Sequence, residues 1–186
     1  MKILQYALSA LLIVLAGCNQ LAFENPLTPS EGENFDATGF LGTWRLSEVV
    51  GEANAVETDI VVSAASGGLE VTYKPGGGPG ITSPLVLTDI NGVTVASTQR
   101  QGFWLIATVT LDEGGTQLNV RSLNMARIKQ DIDAKVLSGS VEEIDDGDVL
   151  ILASASSSEL RAYLESTPDA LFSPRTVSDW TLTRTQ

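Results

Sequence analysis

Histidine is absent from this 186-residue sequence, and cysteine occurs once, as Cys18. Without histidine there is no Ser-His-Asp triad, no Cys-His pair, no His-ligated zinc and no histidine-held haem. A single cysteine cannot close a disulfide within the chain. Basic residues are scarce as well: 11 Lys+Arg stand against 23 Asp+Glu, a formal charge of −12. A nucleic-acid binder needs a basic face for phosphates, so nucleic acid is excluded as a partner. No Ser-x-x-Lys occurs, so the serine cluster Ser154, Ser156, Ser157 and Ser158 has no lysine partner of that kind. Pro75-Gly76-Gly77-Gly78-Pro79-Gly80 is glycine-rich, but no Gly-Lys-Ser/Thr follows, so it reads as a hairpin loop and not a phosphate cradle. No motif asks for a cofactor, and the expectation is a protein that is not an enzyme. Paired carboxylates could still hydrolyse glycosides without histidine, and 23 acids leave that route open.

What the sequence does have begins at its N-terminus. Lys2 is followed by an apolar stretch, residues 3–16, interrupted only by Gln5 and Ser9. At 14 residues it falls short of the ~20 that a membrane-spanning helix needs, and it fits a secretory h-region. It ends in Leu15-Ala16-Gly17-Cys18, which resembles a bacterial lipoprotein lipobox. The resemblance implies cleavage before Cys18, with lipid on its sulfur and an acyl group on the new N-terminus. Residues 1–17 are then the signal peptide. The mature chain has 10 basic and 23 acidic side chains, formally −13, because only Lys2 leaves. Several acyl chains hold a protein firmly, so the membrane contact needs no basic patch. Asn19 in the place after the cysteine, where an aspartate would signal retention, favours an outer-membrane lipoprotein whose domain lies in the periplasm.

Residues 18–38 read as a lipidated, flexible tether. Pro26, Pro29, Ser30, Glu31, Gly32, Glu33 and Asn34 show no apolar period and too little apolar surface to offset ordering entropy. Phe23, Leu27 and Phe35 are the exceptions and are candidates for docking. Residues 39–186 form the folded domain, and its pattern is mainly β. Trp44 and Leu46 share a face, Leu69, Val71 and Tyr73 alternate with Glu70, Thr72 and Lys74, and Phe103 to Leu111 is the longest alternating run. Asn91-Gly92 marks a two-residue hairpin turn, where both residues need positive φ. Met125, Ile128 and Ile132 sit at helical spacing behind Asn124 as cap, predicting a helix over 125–135. Ser156 and Glu159 form a capping box ahead of a second helix, 157–166, stopped by Pro168. Two short strands, 139–143 and 148–153, lie between the helices. Five carboxylates fall within seven residues of their connection, Glu142, Glu143, Asp145, Asp146 and Asp148. They read as a solvated turn, with a calcium site as the alternative.

Many short antiparallel strands with short turns point to an all-β barrel or sandwich in up-and-down order, with two short α-helices. Gly42-Thr43-Trp44 at the start of the first barrel strand resembles the Gly-x-Trp signature of the lipocalins. That resemblance implies an eight-stranded barrel closed at one end by Trp44, with Arg184 from the last strand packed over the indole. It also implies a small hydrophobic ligand in the barrel, with Phe103, Leu105, Trp180 and Leu182 as cavity-lining candidates. The competing expectation is an envelope interaction or assembly module that binds a protein and no small ligand.

Overall fold

The computed structural model describes residues 19–29, 33, 35–50, 54–75, 78–143, 149–173 and 180–185. Residues 1–17, expected as a signal peptide, Cys18 and the acidic residues Asp145, Asp146 and Asp148 lie outside these residues. Eleven strands are present: β1 (Asn19–Phe23), β2 (Gly42–Val50), β3 (Asn54–Ala65), β4 (Gly68–Pro75), β5 (Ile81–Ile90), β6 (Val93–Arg100), β7 (Phe103–Leu111), β8 (Gln117–Ser122), β9 (Gly139–Glu143), β10 (Val149–Ala153) and β11 (Trp180–Arg184). Two helices, α1 (Met125–Asp133) and α2 (Ser157–Ser166), complete the chain.

Eight strands close into a barrel. β2 to β8 follow one another as antiparallel neighbours, β11 pairs with both β8 and β2, and every barrel pairing is antiparallel. The domain is therefore an all-β, lipocalin-like up-and-down barrel with two helices. Its one long excursion, α1, β9, β10 and α2, falls between the seventh and eighth barrel strands. Local sequence explains the hairpins. Asn91 and Gly92 take φ of 54° and 83°, which matches the right-handed twist of the strands they join. Gln101 and Gly102, with φ of 50° and 90°, make a second turn of the same kind between β6 and β7. Both helix caps form: Asn124 accepts from the Arg127 amide, and Ser156 and Glu159 build the reciprocal capping box.

Register divides the side chains between two cores. Trp44 pairs with Ile60, Leu46 with Leu182, Leu182 with Leu118, Leu118 with Leu111, and Thr98 with Leu105, so these residues share the inward face. The inner core is built on Trp44, Leu46, Val62, Leu87, Val109, Leu118 and Leu182. The opposite faces of β5, β6 and β7 carry Ile90, Val95 and Ile106, which belong to an outer core with the excursion. There Ile128, Leu160, Leu164 and Leu171 pack down onto the barrel wall. Trp104 alternates with Phe103 and accordingly packs against this outer cluster.

The segment expected to be a flexible tether departs from that expectation over residues 19–29. β1 pairs in parallel with β10 from Asn19↔Val149 to Phe23↔Ala153, and Phe23 also bridges Trp104 of β7. Phe23 and Leu27 are fully buried in the outer core. The Leu27 amide donates to Ser97 Oγ at 3.2 Å. Farther along, Glu33 ion-pairs with Arg161 at 3.0 Å and accepts from Thr88 Oγ1 and the Asp89 amide. The apolar residues among polar ones outweigh the composition: each large side chain placed in the core contributes ~1.5–3 kcal/mol. The segment is a strap across the outside of β7, β6 and β5.

Candidate functional site

The strand directions define two ends of the barrel. The floor holds the start of β2 and the end of β11; the mouth holds the Gln101-Gly102 turn and the start of β7. At the floor Trp44 is completely buried, and its Nε1 donates to the Phe40 carbonyl at 2.9 Å. Arg184 lies over the indole, 4.4 Å from the ring centroid. Its guanidinium also donates to three carbonyls: Gly115 at 2.7 Å, Leu41 at 2.9 Å, and Gly39. The planar fork thus joins the last strand to the β7–β8 turn and to the short 3-10 turn ahead of β2 while stacking on the ring. Phe35 and Phe40, with centroids 5.8 Å apart, pack beside them. Next to Gly115, Asp112 accepts from the Gln117 and Thr116 amides at 2.7 Å, and these contacts hold its carboxyl below its ordinary pKa. The floor is sealed and fully hydrogen-bonded at its centre.

Toward the mouth the wall is of another kind. Ser83, Leu85, Thr98, Leu105, Ala107 and Trp180 all take the inward register, yet each is only half-buried. Leu85 and Trp180 pack against the inner core while keeping part of their surface accessible. The rim is apolar. Ile81 and Phe103, both inward in register, are 50% and 44% exposed.

The residues proposed from sequence therefore fall at three depths. Trp44, Arg184 and Leu182 form or adjoin the sealed floor, and Leu182 is buried. Leu105 and Trp180 line the half-open wall. Phe103 stands on the rim. Cys18 lies outside the described residues. Alternation alone singles out these apolar positions. It passes over Thr98 and Arg100, the polar residues on the same inward register, because the apolar run starts only at Phe103 and Gln101-Gly102 is a weak turn signal.

Outside the barrel, Asp131 is the one buried carboxylate among the described residues. It accepts from Tyr163 Oη and Arg127 Nε, each at 2.7 Å. Burial pushes its carboxyl up, but the Tyr163 hydroxyl and the Arg127 guanidinium pull harder, and its pKa lies below the ordinary value. Burial, then the bond to Asp131, raise that of Tyr163. A shallow groove of about 320 Å³ lies beside this pair, lined by Val136, Leu137, Ser138, Ala162 and Tyr163. No group of ligating side chains suited to a metal occurs among the described residues, and no helix there is long and apolar enough to cross a membrane.

The chain matches no family model, no curated protein and no solved structure.

Proposed function

We propose that this is a lipid-anchored protein of the bacterial envelope, held at the outer membrane through Cys18 with its domain in the periplasm, and that its barrel carries a small hydrophobic molecule without chemical change. The observation that carries the ligand assignment is the contrast inside one barrel. Trp44 and Arg184 seal the floor, while the inward-facing Leu85, Leu105 and Trp180 are left half-buried beneath a rim of Ile81 and Phe103. A pocket of this form, concave, apolar and closed at one end, is the usual shape of a small-molecule site. Transfer of an apolar chain into it is favoured by ~25 cal/mol for each Å² removed from water. Among the described residues the one buried carboxylate, Asp131, is engaged by Tyr163 and Arg127 and lies outside the barrel. The lipobox and the secretory stretch before it support the location.

Native mass spectrometry of the purified protein, with organic extraction of whatever co-purifies, tests the carrier role. Bound apolar molecules that are lost on filling the lumen with Leu105→Trp are expected. A protein that retains nothing and does not bind a fluorescent fatty acid is not a carrier. Fractionation tests the anchor: Cys18→Ser should leave the membrane fraction, and mature Cys18→Ser protein retained there would exclude lipidation at that residue.

A further inference from the structure

Closure of the barrel leaves the sheet one free edge among the described residues. β6 pairs with β7 and closes the barrel, while the row that branches outward through β1 and β10 ends at β9. The hydrogen bonding shows what that edge presents. The Ser154 amide donates to the Ser138 carbonyl at 2.9 Å, just beyond the last pair of β9 and β10. Antiparallel pairs alternate between bonded and unbonded, so Ser140↔Leu152 and Glu142↔Leu150 are the bonded pairs. The Ala153 carbonyl agrees, since it turns the other way and accepts from the Glu24 amide at 3.0 Å. Gly139, Val141 and Glu143 therefore aim their amides and carbonyls away from β10, where no described strand meets them. An unpaired row of this kind is a template for another strand. Val141 packs against the outer core, and Ser140 and Glu142, on the other face of the strand, are exposed. Past Gly139 the edge runs into the groove described above, because the lining residues Val136, Leu137 and Ser138 directly precede β9. Val136 is 66% exposed there. Charge along this path is mostly negative: Glu142 and Glu143 are exposed on the strand, and Glu159 on the groove wall. The bases of the two helices are engaged, Arg127 by Asp131, Lys129 by Asp133 and Arg161 by Glu33 and Glu165. Lys135, ahead of the groove, is the nearest base to β9 in sequence.

We propose that β9 receives an extended basic segment of a partner protein as an added strand, with an apolar side chain of that segment seated in the groove. The backbone groups of Gly139, Val141 and Glu143 hold the segment, and side chains select it, as in other cases of strand addition. Directly opposed side chains on neighbouring strands stand ~4.5–5.5 Å apart, so a lysine or arginine on the added strand meets Glu142. A second copy of this chain is disfavoured as the occupant, since it would bring a chain of formal charge −12 to an acidic edge. A basic segment meets the opposite sign, which also speeds its approach. The groove lies past Gly139, at the other end of β9 from Glu143. Basic residues thus belong toward one end of the segment and the apolar residue at the other. This role sits on the excursion between the seventh and eighth barrel strands and is independent of what the lumen holds.

The test uses the full chain bearing Cys18→Ser and a fluorescent peptide in which lysine alternates with valine between two terminal leucines. A second peptide has glutamate in place of every lysine. The lysine peptide should bind about tenfold more tightly at low salt, and Glu142→Lys with Glu143→Lys should reverse the order. Amide exchange followed by NMR reads the edge itself. In the free protein Val141 and Glu143 should exchange fast and Ser140 and Glu142 slowly, and the lysine peptide should slow Val141 and Glu143. N-methylation of the peptide's lysines and, separately, of its valines keeps the charge and removes alternate donors. One of the two should abolish binding and the other spare it, because an added strand pairs through alternate residues. If both methylated peptides bind as well as the parent, the contact is charge alone and strand addition is overturned. Serine in place of both leucines should weaken binding several-fold, and an unchanged affinity would remove the groove from the proposal. Binding of neither peptide would overturn it outright. So would a concentration-dependent dimer, seen by sedimentation, in which the Val141 and Glu143 amides are already protected.

Discussion

The two faces of β5, β6 and β7 bound two cores of different completeness. On the outside, Leu27, Ile90, Val95, Ile128 and Leu164 have no exposed surface at all. On the inside, Leu85, Leu105 and Ala107 of the same strands keep part of theirs. The excursion and the strap thus supply the dry packing that the mouth half of the lumen lacks. Stability and capacity are separated by the thickness of one sheet. Apolar burial that the inner wall leaves incomplete toward the mouth is made complete on the outer wall of the same strands.

Substitutions can break that division, and the most deeply packed positions should cost most. Trp44→Ala should cost ~3–5 kcal/mol, because it removes a completely buried indole and the surface on which Arg184 stacks. Chemical denaturation measures it, and an unchanged midpoint would mean that the floor is not a keystone. Leu27→Ala should cost ~2–5 kcal/mol although it lies in the strap, since the residue is fully buried in the outer core. A loss below ~0.5 kcal/mol, the scale of surface substitutions, would show that the strap is not part of the outer core.

Asp131→Asn should cost ~1–3 kcal/mol, the scale of a lost charged hydrogen bond. It carries a pH signature as well. The folded pKa of Asp131 is below its ordinary value of 3.8, so its stabilisation is present above that value and drains away as pH falls through the folded pKa. The variant should therefore lose less stability than the parent below pH 3.8. At the other extreme the raised pKa of Tyr163 adds stability that is lost as pH climbs above its ordinary value of 10.0. Tyr163→Phe should flatten that alkaline limb. Parallel pH profiles for variant and parent would count against the pair. Leu105→Ala should be the mildest, roughly 1 kcal/mol, because its wall is already half open. A larger loss, measured by the same denaturation, would mean that the mouth half is packed.

Most of the barrel is legible in the sequence because its signals are local. Alternation from Phe103 to Leu111, the positive-φ pair Asn91-Gly92 and the capping box at Ser156 each depend on neighbours a few residues away. The Gly-x-Trp start and Arg184 are legible as a pair only through resemblance, since Trp44 and Arg184 are 140 positions apart and nothing local links them. The strap is illegible for a related reason. Residues 19–29 are poor in apolar side chains, and the partners that order Phe23 and Leu27 come from β10, β7 and β6. Composition counts what a segment carries and is blind to what it lands on. Gln101 gives no turn signal because glutamine seldom takes positive φ, and this hides the inward placement of Arg100.

The pairing of Asn19 with Val149 has a mechanical consequence. Given an acylated Cys18, the leash between lipid and domain is a single residue, ~3.5 Å of chain. Such a leash permits little swing, so the barrel would meet the bilayer in nearly one attitude, with its mouth at a set angle. The anchor would also leave the sheet in the row that continues from Val149 to Glu143, next in sequence to a carboxylate-rich stretch. Carboxylates are repelled by anionic headgroups within a Debye length of the surface. The domain would then be pulled toward the membrane by its acyl chains and pushed from it by its own charge, which makes its standoff a quantity that ionic strength can tune.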